Sequence, residues 1–298
     1  MTAIGWIFEH VWSAIAGLIY IFSNPSTVWN LSEPEAVMRL VFYGASAELF
    51  FLFAILSIGV FIGGLANRDF LWRVVNVLEG FSNGVGRLAA WAGLIMVLQQ
   101  IMVIFLQAIF RVPDIGLGPA GLGFDRPLGW WGDGLKLYNA IVVCLCCSYT
   151  FVQRGHVRVD LFYAGARFRT KRAIDMFGSI VFMIPALLLI WYYSWFFMWR
   201  HLINPKVNAS DTLEGMIRKA RAFRWQPETI GFSPNGFDAY FLFKVLIVAF
   251  AFMMLIQAVT FFYRSYLEFV GGEEDEGKGL DLDILDAGIS NSADGMSH

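Results

Sequence analysis

Four long apolar runs constrain this chain more than any other feature. They are Leu88–Phe110, Leu135–Val152, Ala173–Trp199 and Tyr240–Tyr263. A membrane-crossing helix takes about 20 mostly apolar residues. Inside lipid every backbone polar group must be satisfied within the protein, so such runs fold as helices. A fifth run, Val37–Leu65, is equally apolar but carries Glu48 near its middle. A sixth segment, Ile4–Phe22, is shorter and holds Glu9 and His10. With Trp6 and Trp12 it reads as an interfacial helix rather than a span. Of the 298 residues, 57% are hydrophobic and 15% charged. Soluble domains carry about 25% charged residues, so lipid is where this chain buries its length. The expected fold class is an all-α integral membrane protein. It has a four-span core helical bundle, an additional N-terminal span and interfacial or amphipathic helices.

The same pattern divides the chain. Residues 1–87 form an N-terminal extension with the interfacial helix and the extra span. Within it, Val74–Arg87 carries Glu79, Ser82, Asn83 and Arg87. It either lies along the headgroups or extends the next helix out of the membrane. Residues 88–264 form the four-span core, interrupted by a long loop, 201–238. Residues 265–298 form an acidic tail. From Gly271 onward it carries eight acidic residues against Lys278 alone, and is expected to be disordered and solvated.

Basic residues set the expected orientation, because short cytoplasmic loops are rich in Lys and Arg. Arg154–Arg172 holds six of them, and is placed in the cytoplasm. With five spans, 66–87 and the C-terminal tail then also lie inside, and loop 201–238 lies outside. The outer loop has five basic residues, which runs against the rule. Met1–His10 has no Lys or Arg, so a cleaved signal peptide is not expected. The C-terminus is then expected to be cytoplasmic.

Several functions are disfavoured. The formal net charge is −2, and no basic cluster is interleaved with aromatics as on a nucleic-acid-binding face. Cys144, Cys146 and Cys147 lie in one apolar run, without the spacing of a zinc site, and read as buried thiols. No metal site, cofactor or catalytic residue is expected, and the chain is not read as an enzyme. Glu48 and the glutamines Gln99, Gln100 and Gln107 read as hydrogen-bonding groups between helices. Gly59/Gly63 and Gly80/Gly84 have spacings that permit close helix contact.

The run His156-Val157-Arg158-Val159-Asp160-Leu161 follows the second core span. There it resembles a signature of the small membrane subunits of tripartite ATP-independent periplasmic (TRAP) transporters. Trp131, Asp133 and Lys136 resemble that family's opening of the second span, although Gly134 stands where a glutamate is common. The likeness covers 85–263. It implies a small subunit that braces a large permease subunit during ion-driven uptake of a small organic, carboxylate-type solute. The partners implied are the large permease, a periplasmic solute-binding protein and membrane lipids. His156, Arg158 and Asp160 are then expected to hold helix ends or the partner subunit. Two alternatives stand beside it. One is a similar subunit used structurally in another membrane complex. The other is a quinone-site anchor, weakened because His10, His156, His201 and His298 all avoid the middle of the confident spans.

In the outer loop, 210–224 reads as an amphipathic helix, with Leu213, Met216, Ala220 and Phe223 on one face. That face suits either lipid headgroups or a partner. Arg218, Lys219, Arg221 and Arg224 are the candidate partner contacts.

Overall fold

A computed structural model describes residues 5, 9–16, 32–111, 114–117, 124–153, 165–229 and 236–280. The helices are α1 (9–16), α2 (Pro34–Tyr43), α3 (Ala47–Ala66), α4 (Arg68–Phe105), α5 (Leu128–Val152), α6 (Phe168–Gly178), α7 (Ile184–Arg200), α8 (Leu213–Ala220) and α9 (Phe241–Gly271). One π-turn, Leu106–Phe110, ends α4, and another, Ser179–Met183, joins α6 to α7. Two short antiparallel ribbons complete the described structure. Strand β1 (Asp114–Leu117) pairs with β2 (Phe124–Pro127), and β3 (Ile203–Asn204) pairs with β4 (Arg224–Trp225). Five units are long and apolar enough to cross a membrane: Ala47–Ala66, Arg68–Phe110, Leu128–Val152, Phe168–Arg200 and Phe241–Gly271. The described residues are predominantly helical, and the chain is a multi-pass membrane protein of the all-α class.

Helix α9 is the axis of the bundle. Half of its most apolar stretch is buried within the chain, against 11% or less for the other four units. On one side Met254, Leu255 and Ala258 meet Leu187 of α7. On another, Val259, Tyr263 and Leu267 meet Leu71, Trp72 and Val75 of α4. The Tyr263 hydroxyl donates to the Ser57 carbonyl of α3 at 2.7 Å. Helices α4 and α5 run antiparallel. Gly86 touches Tyr149 so closely that a Cβ there would collide with it, and Gln99 reaches the Trp131 carbonyl at 2.7 Å.

The run Val37–Leu65 is two helices, not one span. Ser46 is extended, and its hydroxyl accepts from the Leu49 N–H at 3.3 Å, so α3 starts afresh at Ala47. Gly44 lies against the Trp195 indole, where a side chain would clash. The Trp191 and Trp195 indoles donate to the Gly44 and Val41 carbonyls at 2.8 and 2.9 Å. They satisfy carbonyls that the broken helix leaves free. Glu48 therefore sits in the first turn of α3, where the helix dipole favours a carboxylate. The Ser13 hydroxyl of α1 donates to it at 2.9 Å.

Helix α4 passes through Arg87 without a break. At about 1.5 Å per residue its 38 residues reach about 57 Å, nearly twice the ~30 Å hydrocarbon thickness. The polar half extends the helix rather than turning it along the surface, because its inner face is packed on α9. The acidic tail also differs from expectation. Helix α9 continues to Gly271, and 272–280 folds back on the bundle, while 281–298 lies outside the described residues. In the loop, α8 is shorter than 210–224. Thr212 caps it, accepting from the Gly215 N–H at 3.3 Å.

Candidate functional site: a buried charged cluster

The charges gather where the C-terminal part of α9 meets the N-terminal parts of α4 and α6. Arg264 of α9 grips Glu79 of α4 with both arms of its guanidinium, Nε to Oε1 at 2.6 Å and Nη2 to Oε2 at 2.5 Å. One turn on, Glu268 lies 3.6 Å from Arg264, and its Oε2 lies 2.7 Å from Nε of Arg172 in α6, an ion pair by distance without hydrogen-bond alignment. Arg172 also pairs with Asp175 at 3.3 Å and with Glu276 at 2.8 Å. Glu79, Arg172, Arg264 and Glu268 are all buried, Glu268 completely.

The segment after α9 closes the cluster. The Gly277 N–H donates to Glu268 at 3.2 Å, and the Lys278 carbonyl accepts from Arg264 at 3.1 Å. The Lys278 ammonium pairs with Asp275 at 3.2 Å and sits 5.7 Å from the Trp72 ring centre, whose face Arg264 also covers. Gly272, Gly277 and Gly279 take positive φ, the conformation this tight return requires. Beneath it is a cavity of about 20 Å³, lined among others by Glu79, Gln257, Ser265 and Glu268. The Gln257 side-chain oxygen has no hydrogen-bond partner among the described residues, and the cavity has room for about one water.

This arrangement braces helices. Buried arginines and carboxylates alternate, so each charge is paired, and the fork of Arg264 fixes the angle as well as the distance to Glu79. Among the described residues, no group of three or more His, Cys, Asp or Glu is placed to hold a metal.

The opposite end of the bundle is tied by smaller contacts. Lys244, buried at the start of α9, pairs with Glu228, and its ammonium lies 5.0 and 5.2 Å from the Tyr240 and Phe197 ring centres. The bond from Lys244 holds the Glu228 carboxyl below its ordinary range. The Trp130 indole donates to Asp238 at 2.8 Å and, with Arg126 at 3.2 Å, lowers its pKa. Burial alone would raise Asp211. The bond from Lys219 at 2.6 Å and that from the Asn208 N–H at 2.9 Å outweigh it, and the net shift is down.

His156, Arg158 and Asp160 lie outside the described residues. Asp133 and Lys136 pair with each other at 2.8 Å within one helical turn. Trp131 is held through its carbonyl by Gln99. The thiols of Cys144, Cys146 and Cys147 are free, and that of Cys146 lies 3.4 Å from the Gly86 carbonyl. Gly59, Gly80 and Gly84 face open space, so their spacing makes no close helix contact in the described chain. Arg218, Arg221 and Arg224 are exposed. Lys219 is not a free contact, because Asp211 and the Lys206 carbonyl hold its ammonium.

Sequence reasoning missed the cluster. Arg172 reads as loop charge and Glu79 as a polar residue at the headgroups or on a helix extending out of the membrane, while Arg264 and Glu268 stand at the edge of the tail. The available signal is Arg264 and Glu268, four apart at the end of a largely apolar helix.

The helices and the cluster define a multi-pass membrane protein held together by a buried ionic clamp. No family model, curated protein or solved structure matches the chain.

Proposed function

We propose that the chain is the small membrane subunit of a TRAP-type transporter, bracing a large permease subunit in a bacterial inner membrane. The resemblance at His156–Leu161 suggests the family. The observation that carries the bracing role is the clamp of Glu79, Arg264, Glu268 and Arg172, which holds α4, α6 and α9 in a fixed frame. A brace needs such a frame and a broad apolar flank. Val77, Leu88, Trp91 and Leu98 of α4 supply one, each more than half exposed in the isolated chain. Binding and movement of solute then belong to partner subunits, and this chain carries out no chemistry. The C-terminal end of α9 faces the cytoplasm in this reading.

The experiment is reconstitution. A large permease and a solute-binding protein that co-purify with this chain are placed in liposomes with and without it, and ion-driven uptake of organic acids is followed. Uptake only with this chain present supports the reading. Full uptake without it overturns the reading and favours a structural role in another complex.

A further inference from the structure

The outer loop is a folded cap whose free face is basic. Helix α8 has spent its apolar side on the chain itself: Met216 and Ala220 are buried against Val37, Met38 and Val41 of α2. The surface-helix reading required that side to enter lipid, and it is not available. Of the three acidic residues of 201–229, Asp211 is used by Lys219 and Glu228 by Lys244, which leaves exposed Glu214 in the first turn of α8 against three exposed arginines. Arg218, Arg221 and Arg224 have no ion pair among the described residues and are exposed. Arg218 and Arg221 are one helical turn apart, and Arg224 follows in β4. Beside it Trp225 is 51% exposed, its ring set against Phe223 and Trp199.

The support beneath this face is packed into the core. The β3–β4 ribbon pairs Asn204 with Arg224 and Ile203 with Trp225, and Ile203 is buried in the same core as Met216. An exposed tryptophan beside exposed arginines is a composition enriched in protein-binding hot spots. Uncompensated charge speeds encounter with a surface of opposite sign. We propose that Arg218, Arg221, Arg224 and Trp225 form the docking surface for an acidic face of a water-soluble protein, on the side opposite the C-terminal end of α9. The solute-binding protein of the proposed transporter fits this description, and to that extent the identity of the partner rests on the transporter reading. The surface itself does not.

A photo-crosslinking residue at exposed Ala222, in the full chain in its native membrane, tests this. The expected product is an adduct with a water-soluble protein, joined at a segment rich in Asp and Glu. Arg218→Glu with Arg221→Glu should lower its yield about three- to thirty-fold, on the scale of two exposed charge pairs. Lysines placed at the partner's carboxylates should restore it. An unchanged melting temperature shows that the reversed cap is still folded, and Arg218→Gln with Arg221→Gln should give an intermediate yield if it is not. Adducts with phospholipid only, with a membrane chain, with nothing, or insensitive to charge overturn the proposal. A soluble acidic partner that binds no solute keeps the docking surface and ends the transporter reading. A solute-binding protein that co-purifies but never crosslinks at Ala222 does the reverse.

Discussion

Arg264 and Glu79 stand 185 positions apart in the chain and meet in a two-armed ion pair of 2.5 and 2.6 Å. Through Glu268 the pair continues to Arg172, so three helices from distant parts of the sequence share one network. Removing a single partner leaves a buried charge without its counterion, which typically costs about 3–5 kcal/mol. Glu79→Ala and Arg264→Ala should each lower thermal stability in detergent by that order. Glu79→Leu with Arg264→Met should recover most of the loss. Equal instability of the double variant would show that the lost charge is not the cause.

The return segment makes a second, weaker contribution. Glu276 is half-exposed and pairs with Arg172. Glu276→Gln should change stability by no more than about 1 kcal/mol. Ending the chain at Gly271 also removes the bonds from Gly277 and to Lys278, and should destabilise it clearly more. Hydrogen exchange at the C-terminal turn of α9 reads both effects. Unchanged protection after truncation would contradict the role given to 272–280.

Glycines on one helix differ in what surrounds them. A methyl group at Gly86 would strike Tyr149, whereas at Gly80 and Gly84 it meets open space. Gly86→Ala should therefore loosen the α4–α5 contact, at a cost of about 1–3 kcal/mol. Gly80→Ala should leave the isolated chain as stable, or gain up to about 1 kcal/mol from helix propensity. Melting curves of the two variants check this, and equal losses would contradict the packing described.

Acid should loosen the cap. Glu228, Asp238 and Asp211 all have folded-state pKa values below their ordinary ones. Their contribution is fully present above the unfolded values, about 3.9 for Asp and 4.3 for Glu, and is lost as pH falls through the lower folded values. Fluorescence of Trp225 should stay constant from neutral pH to about pH 5 and change only in the acid range below the ordinary carboxylate values. A transition near neutral pH would point to another group.

Much of the fold was legible because lipid leaves few choices. Runs such as Leu88–Phe110 and Tyr240–Tyr263 must be helical wherever they pack. The break at Gly44–Ser46 was not legible. It depends on Trp191 and Trp195, some 150 positions away, whose indoles donate to the Gly44 and Val41 carbonyls. The amphipathic face of α8 was visible in the spacing of Leu213, Met216 and Ala220, but not its destination on α2. The charged cluster was least legible, because long-range ion pairing leaves no local pattern. Glu79 by itself resembles any polar residue at the edge of a span.

Orientation has its own check. With 154–172 and the tail in the cytoplasm, a single cysteine placed at Ser290 should react with an impermeant reagent only after the membrane is opened, and one at Ala222 should react in intact cells. Labelling at Ser290 from outside would reverse the topology.

The bracing role is tested most directly by isolating the complex from its native membrane through a tag on this chain and identifying every stoichiometric subunit. The account predicts one large permease with many spans, which dissociates when the clamp is broken by Arg264→Ala. A stoichiometric complex without any permease, or a respiratory complex carrying quinone, would contradict it.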